Sequence, residues 1–350
     1  MTRPVPPSMP RWKVLLSESV TRAGQLAEHV DVDPDRIALV IRDFPVRINP
    51  YYLSLIRQPG DPMWRQAVPD PVELADTAGS ADPLCEEARS PVPGLIHRYP
   101  DRAVFLVSDR CAMHCRFCMR KRRVGGVSRN DRIAAGIDTI RRTPDIAEVV
   151  LSGGDPLMLD DDRLARLLDQ IRRINHVRLV RIHSRMPCTL PHRITDNLVH
   201  VLKAFQPIYL NTHFNHPGEI TERSSAACVR LADAGIPLGC QTVLLKGVND
   251  DPAVMRRLMR GLLAIRVRPY YLHQLDRVRG TGHFHVPVAT GLQIMDALRG
   301  HLSGMGVPHY MVDLPGGGGK IPLTPNYVVD KHPGRWTIRN FEGRHFNYPV

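Results

Sequence analysis

The stretch AVFLVSDRCAMHCRFC, Ala103 to Cys118, carries two signals back to back. Its first part is a short apolar run with β-branched residues, the pattern of a buried strand. Its second part spaces three cysteines, Cys111, Cys115 and Cys118, as Cys, three residues, Cys, two residues, Cys. Thiolates are ligands for zinc or iron–sulfur clusters. In parallel α/β folds the C-terminal ends of the strands carry the chemistry, and the cysteines stand at such an end.

Moving outward, the same short apolar run recurs. It appears in EVVLSGG from Glu148, VRLVRIHS from Val177, IYLNTHF from Ile208, LGCQTVLL from Leu238 and RPYYLHQL from Arg268. Amphipathic segments lie between, such as DDDRLARLLDQIRRI from Asp160 and EITERSSAACVRLADAG from Glu219. Gly235 ends the second of these and suits a helix C-cap. Strands alternating with helices predict a parallel sheet of βα units, and six such strands fit a partial (β/α)6 barrel. Polar residues cluster where the strands end: Ser152, Gly153, Gly154 and Asp155, then His183-Ser184-Arg185, Asn211-Thr212-His213, Gln241, Gln274 and Asp276. The expected organisation is a Pro-rich, helical and loop-rich region over 1–95, the barrel over 96–310, and a C-terminal extension over 311–350. SESVTRAGQLAEHV and DRIALVI read as helices within the first region.

Composition narrows the class. The chain has 350 residues, of which 43% are hydrophobic and 23% charged, and its formal net charge is +12. No apolar run approaches the ~20 residues that span a bilayer. The opening MTRPVPPSMPRWK lacks the apolar core of a signal peptide. A soluble, cytoplasmic protein with no membrane partner is expected. The positive charge is mostly arginine spread along the chain, and Arg120 to Arg123 (RKRR) is its only dense run. A solvated basic surface explains this first, an anionic small ligand second and nucleic acid third. Seven cysteines, an odd number with three clustered, are not a secreted disulfide framework. They point to a reducing compartment and one metal or redox site.

A closed zinc site needs a fourth ligand, which His114 or His97 could supply, so a basic zinc protein that binds nucleic acid is a competing reading. Three cysteines on a loop after the first barrel strand instead resemble the radical S-adenosylmethionine enzymes. There three thiolates hold a 4Fe–4S cluster and leave one iron open, and an aromatic commonly precedes the third cysteine, as Phe117 does here. SGGDP after the second strand resembles the segment that meets the amino group of S-adenosylmethionine; alone it is an ordinary βα turn.

A second stretch, DLPGGGGKIPLTPNY from Asp313 to Tyr327, runs four glycines into Lys320. A phosphate-binding P-loop needs a hydroxyl after the lysine, and Ile321 stands there. The glycines allow positive φ or a close backbone approach. Alone, Lys320 reads as a solvated loop lysine. Over roughly residues 90 to 342, however, the chain resembles the lysine 2,3-aminomutase family. The matching stretches include SPVPGLIHRYPDR, CAMHCRFCMRKRR, VVLSGGDPL, RIHSRMP, YLNTHFNHPGEIT and RGHLSGMGVPHYMVDLPGGGGKIPLTPNYVV.

The resemblance implies a radical S-adenosylmethionine isomerase that uses pyridoxal phosphate. Lys320 then takes the role of the Schiff-base lysine, with Arg98, Tyr99 and Arg102 around the phosphate. Arg120 matches the arginine that pairs with the substrate carboxylate. Asp276 and Asp313 match the aspartates that hold its distal ammonium. His213 and Gln241 match positions near S-adenosylmethionine, beside Ser152, Gly153, Gly154 and Asp155. The implied substrate is L-lysine and the implied product β-lysine. A one-electron reductant such as flavodoxin or ferredoxin is the implied partner, and a homo-oligomer is possible. Supply of β-lysine for elongation factor P and an arginine aminomutase remain alternatives. Longer members carry a C-terminal cysteine-rich segment that binds zinc between subunits, with a further cysteine where Asp251 stands here. An intersubunit zinc is therefore not expected.

Overall fold

The computed structural model describes residues 9–125 and 131–350; the first residues of the Pro-rich opening, 1–8, lie outside the described residues. All six predicted strands form where expected. They are β2 (Arg102–Ser108), β3 (Glu148–Gly153), β4 (Leu179–His183), β5 (Ile208–Thr212), β6 (Leu238–Leu244) and β7 (Arg268–Gln274). β8 (His309–Leu314) adds a further parallel strand beyond β7. β1 (Leu95–Tyr99) and β9 (Gly319–Leu323) then close the two edges as antiparallel neighbours of β2 and β8. The nine strands lie in chain order, β1 to β9, in one sheet. Every crossover therefore steps the same way, and a twisted sheet built so curls into a barrel. β1 and β9 do not pair, so the barrel stays open.

Why these residues take these places follows from which face each side chain meets. In β4, Val180 and Ile182 are buried while Arg181 and His183 alternate with them and line the barrel interior. The helix Asp161–Arg172 buries Leu164, Leu167, Leu168 and Ile171, one apolar stripe at helical spacing. The helix Glu222–Asp233 starts with a capping box between Thr221 and Ser224, and Gly235 follows its end at φ +76°, as predicted. Asp251, at the position that raised the zinc question, caps the helix Pro252–Ala264 by accepting the Ala253 and Val254 N–H groups at 2.8 and 2.9 Å.

The N-terminal region packs into the same core. Trp12, Leu16, Tyr52 and Met63 share one apolar cluster with Phe105, Leu151, Ile182, Leu258 and Tyr310. Three of its helices begin with an acid or amide followed by proline: Asp33-Pro34, Asn49-Pro50 and Asp61-Pro62. The side chain caps the free N–H groups and proline pre-sets the first turn. The helix predicted over Ser17 to Val30 shrinks to Ala23–Ala27, because Val20 instead bridges Ile48. β8 runs from His309 to Leu314, so the Lys320 segment enters the barrel sheet directly. Beyond it, β10 (Val328–His332), β11 (Arg335–Arg339) and β12 (His345–Pro349) form a separate antiparallel sheet. No helix among the described residues is long and apolar enough to cross a membrane.

Candidate active site

The barrel encloses a cavity of about 1070 Å³ whose wall includes the three clustered cysteines and every residue matched above to a cofactor or the substrate, from Arg98 to Lys320. Small-ligand pockets usually measure ~300–1,000 Å³, so there is room for more than one amino acid.

The cysteine loop leaves β2 and is held from several sides. Asn49 donates its amide to the carbonyls of Ala112 and Thr189 at 3.1 and 3.0 Å. Arg116 is buried against Glu73 at 2.6 Å, and Lys121 reaches the same carboxylate at 2.6 Å. Gly153 and Gly154 lie flat on the loop: a Cβ on them would come within 2.2 Å of the Ser108 carbonyl and 2.4 Å of the Arg110 carbonyl. Glycine is required there by backbone packing, and the Gly153–Gly154 pair fixes the loop. Asp155 is also occupied by protein. It accepts from the Ser184 hydroxyl and the Arg185 N–H, each at 2.8 Å, and from the Leu157 N–H at 3.0 Å.

None of the seven cysteines is disulfide-bonded. Burial pushes the Cys118 thiol up to about 11 and the Cys111 thiol well above its usual value. Such thiols ionise on meeting a metal centre, which deprotonates them outright. Among the described residues no three His, Cys, Asp or Glu side chains converge on a single ion position. The two histidines considered as fourth ligands point elsewhere, His114 to the Pro45 carbonyl at 3.2 Å and His97 to the Pro100 carbonyl at 3.3 Å.

Arg120 enters the cavity from the end of this loop. Its Nε and Nη2 grip Glu86, at 2.7 Å for the shortest contact, and its Nη1 donates to Ser152 Oγ at 3.1 Å. Burial opposes the charge on Glu86, but Arg120 outweighs it and holds the carboxyl below its usual range. Four histidines line the cavity, His183, His213, His273 and His309. Burial lowers His183 and His213 to about 3 and holds His273 well below its usual value, so these three are neutral. His213 lies within hydrogen-bonding distance of Asn215 Oδ1 at 2.9 Å, and Gln241 lies 3.5 Å from His183.

The β8–β9 hairpin brings Lys320 opposite Asp313 in register, and their side chains form an ion pair. The Lys320 N–H donates to the Tyr99 hydroxyl at 3.0 Å. Gly317 and Gly319 have φ of +75° and +101°, and a Cβ on either would come within 2.9 Å of the Arg98 guanidinium. The glycine run therefore lays the hairpin against Arg98. Arg98 Nε and Nη1 are buried with no hydrogen-bond partner among the described residues. Unpaired buried donors are costly, so this guanidinium could take an anion. Arg102 is less free: it stacks over the Tyr99 ring at 4.0 Å and pairs with Asp101 at 2.7 Å. Asp276 completes the group. Burial first, and the neighbouring Asp313 second, push its carboxyl up to about 7.

A family model described as lysine-2,3-aminomutase matches residues 295–350, and a radical SAM superfamily model matches residues 105–258. An L-lysine 2,3-aminomutase of Clostridium subterminale is 47% identical over 95% of this chain and 82% of its own length. The chain belongs to the lysine 2,3-aminomutase family. An L-lysine 2,3-aminomutase of Methanococcus maripaludis is 49% identical, over 95% of this chain and 79% of its own. A glutamate 2,3-aminomutase of Clostridioides difficile is 43% identical, over 95% and 81%.

As a lysine 2,3-aminomutase family member the protein is a radical S-adenosylmethionine isomerase whose cofactors are a 4Fe–4S cluster, S-adenosylmethionine and pyridoxal phosphate. The residues present fit them: three free thiols in one cavity, an amine at Lys320, and unpaired donors on Arg98. Sequence reasoning missed Glu86, Glu73 and the contacts of Arg185. Glu86 and Glu73 stand in the loop-rich N-terminal region without a motif, and only folding places them on the arginines that follow Cys115.

Proposed function

We propose that this aminomutase converts L-lysine to β-lysine. The observation that carries the choice of substrate is the Asp276–Asp313 pair. Both carboxylates line the cavity, close enough that Asp313 raises Asp276. Two mutually repelling buried acids are stabilised by a cation and destabilised by a third carboxylate. The glutamate-acting relative makes this the point at issue, since membership of the family leaves the side chain open.

When bound, the cluster and S-adenosylmethionine would supply radical hydrogen abstraction at the substrate's β-carbon, and pyridoxal phosphate would supply the carrier for a nitrogen migrating from α to β. The chain does the rest. Cys111, Cys115 and Cys118 would hold the cluster. Lys320 would hold pyridoxal phosphate through its amine, with Arg98 and Arg102 on the phosphate and Tyr99 fixing the Lys320 backbone. Arg120, aligned by Glu86, would take the substrate carboxylate, since a guanidinium suits a carboxylate. Asp313 and Asp276 would take the distal ammonium through charge-assisted hydrogen bonds. Ser152, Gln241 and the neutral His213 would line the S-adenosylmethionine side. A flavodoxin- or ferredoxin-type donor and a cytoplasmic setting complete the reading, favoured by seven free thiols.

Anaerobic steady-state assays on lysine, arginine, ornithine and glutamate test it. Lysine turnover far above the others is expected. Efficient turnover of glutamate would overturn the substrate.

A further inference from the structure

Arg185 follows β4 and is buried, and its nitrogens converge on one function. Nη1 donates to Cys115 Sγ at 2.8 Å. Nη2 donates to Gln66 Oε1 at 2.6 Å and Glu219 Oε1 at 2.7 Å, and Nε reaches the His213 carbonyl at 3.4 Å. The Phe117 and Tyr52 rings flank the cation at 5.1 and 5.9 Å. Glu219 is itself wholly buried and fixed by the Tyr52 hydroxyl at 2.8 Å and by the N–H groups of Asn215 and His216 at 2.6 and 3.0 Å. The guanidinium thus has no freedom to turn away from the sulfur.

We propose that Arg185 is a positioning residue for the iron–sulfur cluster: it fixes Cys115 through an N–H···S bond and sets a positive charge beside that sulfur, which makes the cluster easier to reduce. This rests on Cys115 being a cluster ligand. Reduction moves one electron from a low-potential one-electron donor onto the cluster. No bond forms or breaks, no proton moves, and the cluster with its thiolates becomes one unit more negative. A buried cation stabilises that more negative state, and hydrogen bonds and charge at the sulfurs are the terms that set such potentials. Glu219 works in the opposite sense, since its carboxylate cancels part of the Arg185 charge. The two residues therefore predict shifts of opposite sign, which a purely structural anchor does not.

The test is a dithionite titration of anaerobically reconstituted protein, with iron counted per chain and the reduced fraction read by electron-spin resonance against electrode potential. Arg185→Gln is expected to keep its iron and to shift the reduction equilibrium about tenfold toward the oxidised state, about 59 mV for a one-electron couple. Arg185→Lys keeps the charge and should shift less. Glu219→Gln should shift the equilibrium toward the reduced state. An iron-loaded Arg185→Gln protein with an unchanged potential overturns the proposal. If that variant fails to assemble, Glu219→Gln decides, and an unchanged or lowered potential there overturns it. Cys115→Ala separates the underlying reading: loss of iron supports the ligand, while full iron retention removes the ligand assignment and this proposal with it.

Discussion

The cysteine loop and the Lys320 hairpin line the same cavity on different terms. The loop arrives with its polar groups already matched by protein. Glu73 takes both Arg116 and Lys121, Asn49 ties Ala112 to Thr189, and Gly153–Gly154 leave no gap above Ser108 and Arg110. The hairpin rests on the Tyr99 hydroxyl and on Arg98, two of whose buried nitrogens have no partner among the described residues. Buried polar groups are ordinarily satisfied. A region that satisfies itself is a scaffold; one that leaves donors unpaired is completed by its ligand. The difference also separates the cofactors, so losing one should leave the other in place.

That separation gives the largest effects. Replacing Cys111, Cys115 or Cys118 by Ala should abolish turnover and strip the iron, yet borohydride should still trap pyridoxal phosphate on a peptide containing Lys320. Lys320→Ala should abolish turnover while iron analysis stays at wild-type content. Loss of both cofactors in either variant, or trapping at Lys246, would break the comparison.

The next effect falls on the scaffold. Glu73 is buried between two cations, so Glu73→Gln leaves them uncompensated and should cost ~3–5 kcal/mol of stability. Denaturant unfolding measures it. Asp313→Asn tests the hairpin side: losing one partner of a buried charge pair, again ~3–5 kcal/mol, should weaken lysine turnover by about two to three and a half orders of magnitude. Cluster and pyridoxal phosphate content should not change. Near-normal lysine turnover in the Asp276→Asn, Asp313→Asn double variant would overturn the substrate assignment.

A smaller effect follows from Asp276. Its carboxyl is raised to about 7, by burial first and Asp313 second, so it is increasingly neutral as pH falls below 7. Only the ionised form attracts the substrate's ammonium. KM for lysine should therefore rise as pH falls through that value, by up to tenfold per pH unit. In Asp313→Asn the repulsion is removed and the inflection should move to lower pH. A flat profile between about pH 6 and about pH 8, one unit either side of the titration, would remove Asp276 from the ammonium site.

The smallest effect belongs to Asp251. As a helix cap its replacement by Ala should cost ~1 kcal/mol in thermal unfolding and leave turnover unchanged.

How much of this was legible in the sequence divides along the same line. Six strands could be read because each is a short run of apolar and β-branched residues ending in polar ones. The cysteine spacing and the glycine run into Lys320 are local signals as well. β8 and β9 are not legible, since HYMVDL and GKIPL alternate too briefly to separate from a loop, and register alone sets Asp313 opposite Lys320. Glu73, Glu86 and the Arg185–Cys115 contact depend on residues far apart in the chain. At Asp251 the sequence shows only that a family cysteine is missing; that its carboxylate caps the helix Pro252–Ala264 comes from the fold.

The proposed reaction moves the nitrogen of lysine from the α- to the β-carbon. Reconstituted, reduced protein supplied with S-adenosylmethionine and pyridoxal phosphate should be given lysine labelled at its α-nitrogen, without oxygen, and the product followed by nuclear magnetic resonance. β-Lysine with the label on the β-nitrogen is expected. Failure to form β-lysine by protein carrying its full complement of iron and pyridoxal phosphate would contradict that reaction.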